Sequence, residues 1–116
     1  PDSVAAAIAV LAARKGRRIL VLGDMGELGP ESSGLHREIG ATARQAGIDR
    51  LLCLGEQTVQ TVAAFGPGAM HFERIEELLA EIEVALAPEV TVLVKGSRFM
   101  KMERVVQSFI ESQACS

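Results

Sequence analysis

Tryptophan and tyrosine are absent from the 116 residues, and four phenylalanines supply all the aromatic rings. A platform for stacking nucleic-acid bases would have to be built from those four alone. Lys and Arg number 12 against 15 Asp and Glu, the formal net charge is −3, and no basic stripe is read along the chain. Nucleic acid is therefore not an expected partner. No apolar run approaches the ~20 residues that a membrane-spanning helix needs, so no membrane partner is expected either. The apolar start, residues 1–10, lacks a basic leader and does not read as a signal peptide. Cysteine is limited to Cys53, inside an apolar run, and Cys115, beside the terminus. That usage suggests a reduced, cytoplasmic setting without a disulfide or a metal cluster.

What is present is the balance of a globular domain, with 48% hydrophobic and 23% charged residues. The length suits one domain. The chain begins with Pro1 rather than Met, and its first residues already have a helical pattern. The expectation is a piece of a longer protein.

Short apolar runs at Arg18 to Leu22, Arg50 to Leu54 and Val90 to Val94 read as buried strands. They lack polar alternation, as strands do when helices cover both faces of a parallel sheet. A weaker fourth strand is expected over Ala69 to Phe72. Helices are expected over 3–14, 32–46, 56–65, 74–86 and 100–112. Their buried faces are read as Val4, Ile8 and Leu11; Leu35, Ile39, Ala43 and Ala46; Val59, Val62 and Ala63; Ile75, Leu78, Leu79, Ile82 and Leu86; and Met102, Val105, Val106, Phe109 and Ile110. Asp2 or Ser3, and Ser32 or Ser33, are plausible N-caps, and Gly47 suits the C′ position of the second helix. The regular alternation predicts an α/β fold: a three-layer, Rossmann-like domain with a mostly parallel sheet flanked by helices.

Such sheets bind ligands beyond the carboxyl ends of their strands. Three loops answer that description. Gly23-Asp24-Met25-Gly26-Glu27-Leu28-Gly29 follows the first strand, Gly55-Glu56-Gln57-Thr58 the second, and Lys95-Gly96-Ser97-Arg98 the last. The first is spaced G-x-x-G-x-x-G rather than as the dinucleotide G-x-G-x-x-G, and it places Asp24 and Glu27 where a phosphate would want none. It is a turn with positive-φ glycines, or a loop whose carboxylates meet a substrate hydroxyl, an ammonium or a neighbouring domain. In the last loop, Lys95 and Arg98 bracket a glycine and a serine hydroxyl, a set suited to a carboxylate or phosphate. The alternative is two solvated cations before a helix. His36 favours a structural or solvent role, since no nucleophile is locally paired with it. His71 carries no signal of a role, and the Glu-rich face of 76–83 reads as solvated. No catalytic triad, carboxylate pair or metal-ligand set can be assembled from local spacing.

The loops resemble a known family. Val21-Leu22-Gly23-Asp24-Met25-Gly26-Glu27-Leu28-Gly29, followed by Ser32 and His36, is similar to a motif in the C-terminal domain of the Mur ligases. The likeness is to the branch that adds D-alanyl-D-alanine. Val92-Leu93-Val94-Lys95-Gly96-Ser97-Arg98, with Met100, Met102 and Glu103, resembles a second motif of that domain, and Pro1-Asp2-Ser3 the tail of a third. Gly26 departs from the family, which more often has a bulky residue there.

The resemblance implies that residues 1–116 are the C-terminal domain of a three-domain enzyme, with the domain's first strand preceding Pro1. The implied reaction is an ATP-dependent ligation in peptidoglycan synthesis. ATP phosphorylates the terminal carboxylate of UDP-N-acetylmuramoyl-tripeptide, and the amine of D-Ala-D-Ala displaces the phosphate to leave an amide. ATP and Mg2+ would be bound mainly by the central domain, with no cofactor in this chain by itself and no catalytic residue or metal ligand on it. Lys95, Ser97 and Arg98 would hold the dipeptide carboxylate and Asp24 its ammonium. Another Mur ligase, a folylpolyglutamate synthase and a free-standing α/β binding module are the alternatives.

Overall fold

The computed structural model describes residues 2–23 and 32–95. Within them four helices alternate with four strands: α1 (Asp2–Ala12), β1 (Arg17–Gly23), α2 (Ser32–Gln45), β2 (Arg50–Leu54), α3 (Thr58–Phe65), β3 (Ala69–Phe72), α4 (Ile75–Ala85) and β4 (Val90–Lys95). All four expected strands are present, the weak one included. The helix expected over 100–112 lies outside the described residues, as do the side chains of Asp2, Ser3, Ser32 and Ser33.

The strands form one sheet in the order β3-β2-β1-β4, and every pair is parallel. Successive side chains of a strand point to opposite faces, and here both faces are covered. Leu20, Leu22, Leu51 and Cys53 pack with Val4, Ile8 and Leu11 of α1, Ile39 and Ala43 of α2, and Phe65 of α3. Ile19, Val21, Leu52 and Leu54 pack with Leu78 and Ile82 of α4 on the other side. This is why β1 and β2 read as continuous apolar runs. Each fully buried Leu or Ile contributes about 1.5–3 kcal/mol relative to exposure.

Two helix faces differ from the sequence reading. On α2 the buried residues are His36, Ile39, Gly40 and Ala43, while Leu35 is half-buried. The helix is turned toward α3, and Gly40 makes the approach possible: a Cβ there would collide with the carbonyl oxygen of Thr61. On α3 the buried residues are Thr58, Thr61 and Phe65, and Val59 is 48% exposed. The helices meet through a glycine and two threonines, so counting large apolar side chains pointed to the wrong face. Glu81 also departs from the solvated reading, because Arg50 pairs with it at 3.1 Å. α2 ends as expected. Gly47 takes φ 81°, and the Ile48 N–H returns to the Ala43 carbonyl at 3.2 Å.

Candidate functional site at the carboxyl edge of the sheet

The chain runs from β1 through α2 to β2, and through α3 to β3, always in one direction along the sheet. It then returns through α4, on the opposite face, to lay β4 against the far side of β1. The reversal falls between β1 and β4. In sheets of this kind, ligands bind outside the carboxyl ends of the two strands that flank such a reversal. The register brings Leu22 opposite Lys95. The loops beginning at Asp24 and at Gly96 therefore start from adjacent strands, about 4.8 Å apart.

Of the four candidate site residues, Lys95 is the last residue of β4 and is half-buried. Asp24, Ser97 and Arg98 lie outside the described residues. His36 is buried in the interior, beside the α2 face that packs on the sheet, as a structural residue would be.

A second group gathers at the same edge, one and two strands from β1. Gly55 follows β2 with φ 112°. Its carbonyl oxygen accepts from the Thr58 hydroxyl at 2.6 Å, from the Thr58 backbone N–H at 3.2 Å, and from Nε2 of His71 at 2.8 Å. A cleft of about 320 Å³ opens beside this carbonyl, lined by Gly55, Glu56, Val59, His71 and Glu73. Sequence reasoning placed the Gly55 loop at the right edge but gave His71 no role. The pairing of Cys53 with His71 brings the imidazole level with the turn after β2, and that register is not legible in either strand alone. The usable signal was a histidine near the carboxyl end of an expected strand.

At the β2–β3 end the carboxylates Glu56 and Glu73 line the cleft, with Arg74 directly after Glu73, and Lys95 stands at the end of β4. No group of three or more His, Cys, Asp or Glu side chains among the described residues is arranged to hold a metal ion.

Fold and edge thus define an α/β domain with a parallel sheet whose strand order reverses between β1 and β4. The chain belongs to the Mur ligase, glutamate ligase domain family, which it matches over residues 1–98. It is similar to the UDP-N-acetylmuramoyl-tripeptide–D-alanyl-D-alanine ligase of Escherichia coli strain K12, with 43% identity over 115 residues, or 97% of this chain and 25% of the relative. The corresponding ligase of Bacillus subtilis strain 168 is 35% identical over 124 residues, covering 97% of this chain and 26% of the relative. Among solved structures, MurF from Acinetobacter baumannii superposes with a TM-score of 0.85 at 28% identity, covering 96% of this chain and 25% of that one. The MurF ligase from Thermotoga maritima in complex with ADP has a TM-score of 0.81 at 22% identity over 94% of this chain and 25% of that one, a likeness of fold. The chain spans about a quarter of the length of the relatives it matches.

Proposed function

We propose that this chain is the C-terminal domain of an ATP-dependent ligase that joins D-Ala-D-Ala to UDP-N-acetylmuramoyl-tripeptide in the cytoplasm, and that its carboxyl-edge crevice receives the dipeptide. The observation that carries the reading is the adjacency of β1 and β4, with Leu22 opposite Lys95. Two loops that resemble this ligase branch from opposite ends of the sequence leave one crevice side by side. The family membership and the 43% identity to the Escherichia coli ligase support it. No helix among the described residues is long and apolar enough to cross a membrane.

The chain's own part is to bind and orient. Lys95 and Arg98 supply positive charge and Ser97 a hydroxyl, which together suit the dipeptide carboxylate. Asp24, leaving the neighbouring strand, suits its ammonium before the amine loses its proton and attacks. Among the described residues, no group of three or more His, Cys, Asp or Glu side chains is arranged to hold magnesium. In the full enzyme ATP supplies the activation of the carboxylate, and the parts of the enzyme outside this chain are its main binding site.

Replacing Arg98 by Ala in the full-length ligase should raise the apparent KM for D-Ala-D-Ala roughly ten- to a hundredfold. That is the loss expected from removing a charge-assisted contact worth about 1.5–3 kcal/mol. The KM for ATP should stay within twofold. If the ATP constant moves and the dipeptide constant does not, Arg98 belongs to a nucleotide-facing interface and the dipeptide assignment fails.

A further inference from the structure

The Gly55 carbonyl holds more donors than a turn requires. Two come from Thr58, three residues on, and belong to the local turn that opens α3. The third comes from another strand, where His71 Nε2 at 2.8 Å donates as N–H. A carbonyl has two lone-pair directions, so three donors leave its peptide plane no freedom to turn. Gly55 is the residue for which that matters. It lacks a Cβ and sits at φ 112°, where glycine alone rotates cheaply. The peptide bond is planar and trans, so pinning the Gly55 oxygen also aims the Glu56 N–H and sets where the Glu56 side chain begins.

That peptide lies one strand from β1, beside the point where the strand order reverses. Leu54, the residue before Gly55, pairs with Gly23, the last residue of β1. From β2 to β4 is two strand spacings, about 10 Å. An extended dipeptide spans about 7 Å, and Glu56, just past β2, and Lys95, at the end of β4, stand on the two sides of β1. A zwitterion lying across the end of β1 would present its carboxylate toward Lys95 and its amine toward the cleft that Glu56 lines.

We propose that His71 is a positioning residue for the amine end of the dipeptide: by holding the Gly55 carbonyl it fixes the Gly55–Glu56 peptide, and with it the Glu56 carboxylate, on the side of the crevice opposite Lys95. The inference rests on the dipeptide reading above and extends it to the loop after β2.

The test uses the full-length ligase and two ligands, D-Ala-D-Ala and its analogue lacking the amine, propionyl-D-alanine, as a competitive inhibitor. His71→Leu removes the donor and should raise the KM for D-Ala-D-Ala about three- to tenfold. The KM for ATP and the inhibition constant of propionyl-D-alanine should be unchanged. His71→Gln keeps an N–H at similar reach and should restore most of the loss. Glu56 is exposed, so Glu56→Gln keeps the fold and reads the same effect without touching the imidazole. It too should weaken the dipeptide and spare the analogue. If Glu56→Gln leaves the preference for dipeptide over analogue intact, or if His71→Leu weakens both ligands equally, the inference is overturned. It is also overturned if the histidine variants fall in melting temperature together without rescue by glutamine. The Arg98→Ala result separates the two readings. A dipeptide effect there with none at His71 or Glu56 sinks this inference alone, whereas an ATP effect at Arg98 sinks the reading beneath it.

Discussion

Thr61 is fully buried on α3, and its hydroxyl is the one buried side-chain polar atom without a hydrogen-bond partner among the described residues. Leaving a buried hydroxyl unsatisfied costs about 1–3 kcal/mol, and an apolar side chain of the same shape escapes that cost. Thr61→Val should therefore raise stability by about 1 kcal/mol, read as a higher urea midpoint with an unchanged slope. A lower midpoint would mean that the hydroxyl has a partner after all. Thr58, on the same helix face, is the control. Its hydroxyl donates to Gly55 at 2.6 Å, so Thr58→Val should destabilise. These two threonines also mark where the sequence misled. Threonine counts as polar in a periodicity reading, yet both are buried, Thr58 with its hydroxyl turned back to the carbonyl three residues earlier. Val59 was counted as core and stands in solvent.

Elements are tied together at the amino edge of the sheet, opposite the crevice, by Arg18. Its backbone N–H donates to Asp49 Oδ2 at 2.8 Å, and its guanidinium reaches the carbonyls of Ala12 at 2.8 Å and of Gly47. Two helix ends, α1 and α2, are thereby fastened to the start of β1. The planar fork of arginine offers donors on three separate nitrogens to widely spaced acceptors, whereas a lysine carries all its donors on one. Arg18→Ala should cost about 2 kcal/mol, and Arg18→Lys should recover less than half of it in the same denaturation experiment. Equal stability of the lysine variant and the parent would show that charge alone, not the fork, is at work. The strands were legible at this scale because burial on both faces removes polar alternation, as at Ile19 to Leu22 and Leu51 to Leu54. Helix α4 was legible because Leu78 and Ile82 lie four apart above a charged face. The pairing of β4 with β1 was not legible. Nothing in Val90–Lys95 states which neighbour it takes, and the partner is chosen by the return of α4 across the other face of the sheet. Lys95 could thus be nominated from its strand end, but its position opposite Leu22 could not.

At the scale of the whole molecule, the role proposed for the chain is to bind and orient the dipeptide. Phosphoryl transfer depends on groups that cradle the phosphates and neutralise their charge, and the described residues hold no metal-ligand set. The purified chain should release no phosphate from ATP, with or without magnesium, in a continuous phosphate assay. Steady turnover that disappears in a Lys95→Ala variant of this chain would overturn the domain assignment.

The strand order also bears on when the crevice comes into being. Residue 17 pairs with residue 90, whereas β1, β2 and β3 follow one another across the sheet in chain order. As the chain leaves the ribosome, those three strands and their helices can assemble first, while β1 keeps its far edge open. Contacts between distant parts of a chain form late, because loop closure must come before any gain from them. β4 is therefore expected to dock after β1, β2 and β3, and the Lys95 side of the crevice arrives with it. A ligand that bridges the ends of β1 and β4 binds only the finished fold and, by mass action, holds its final step closed.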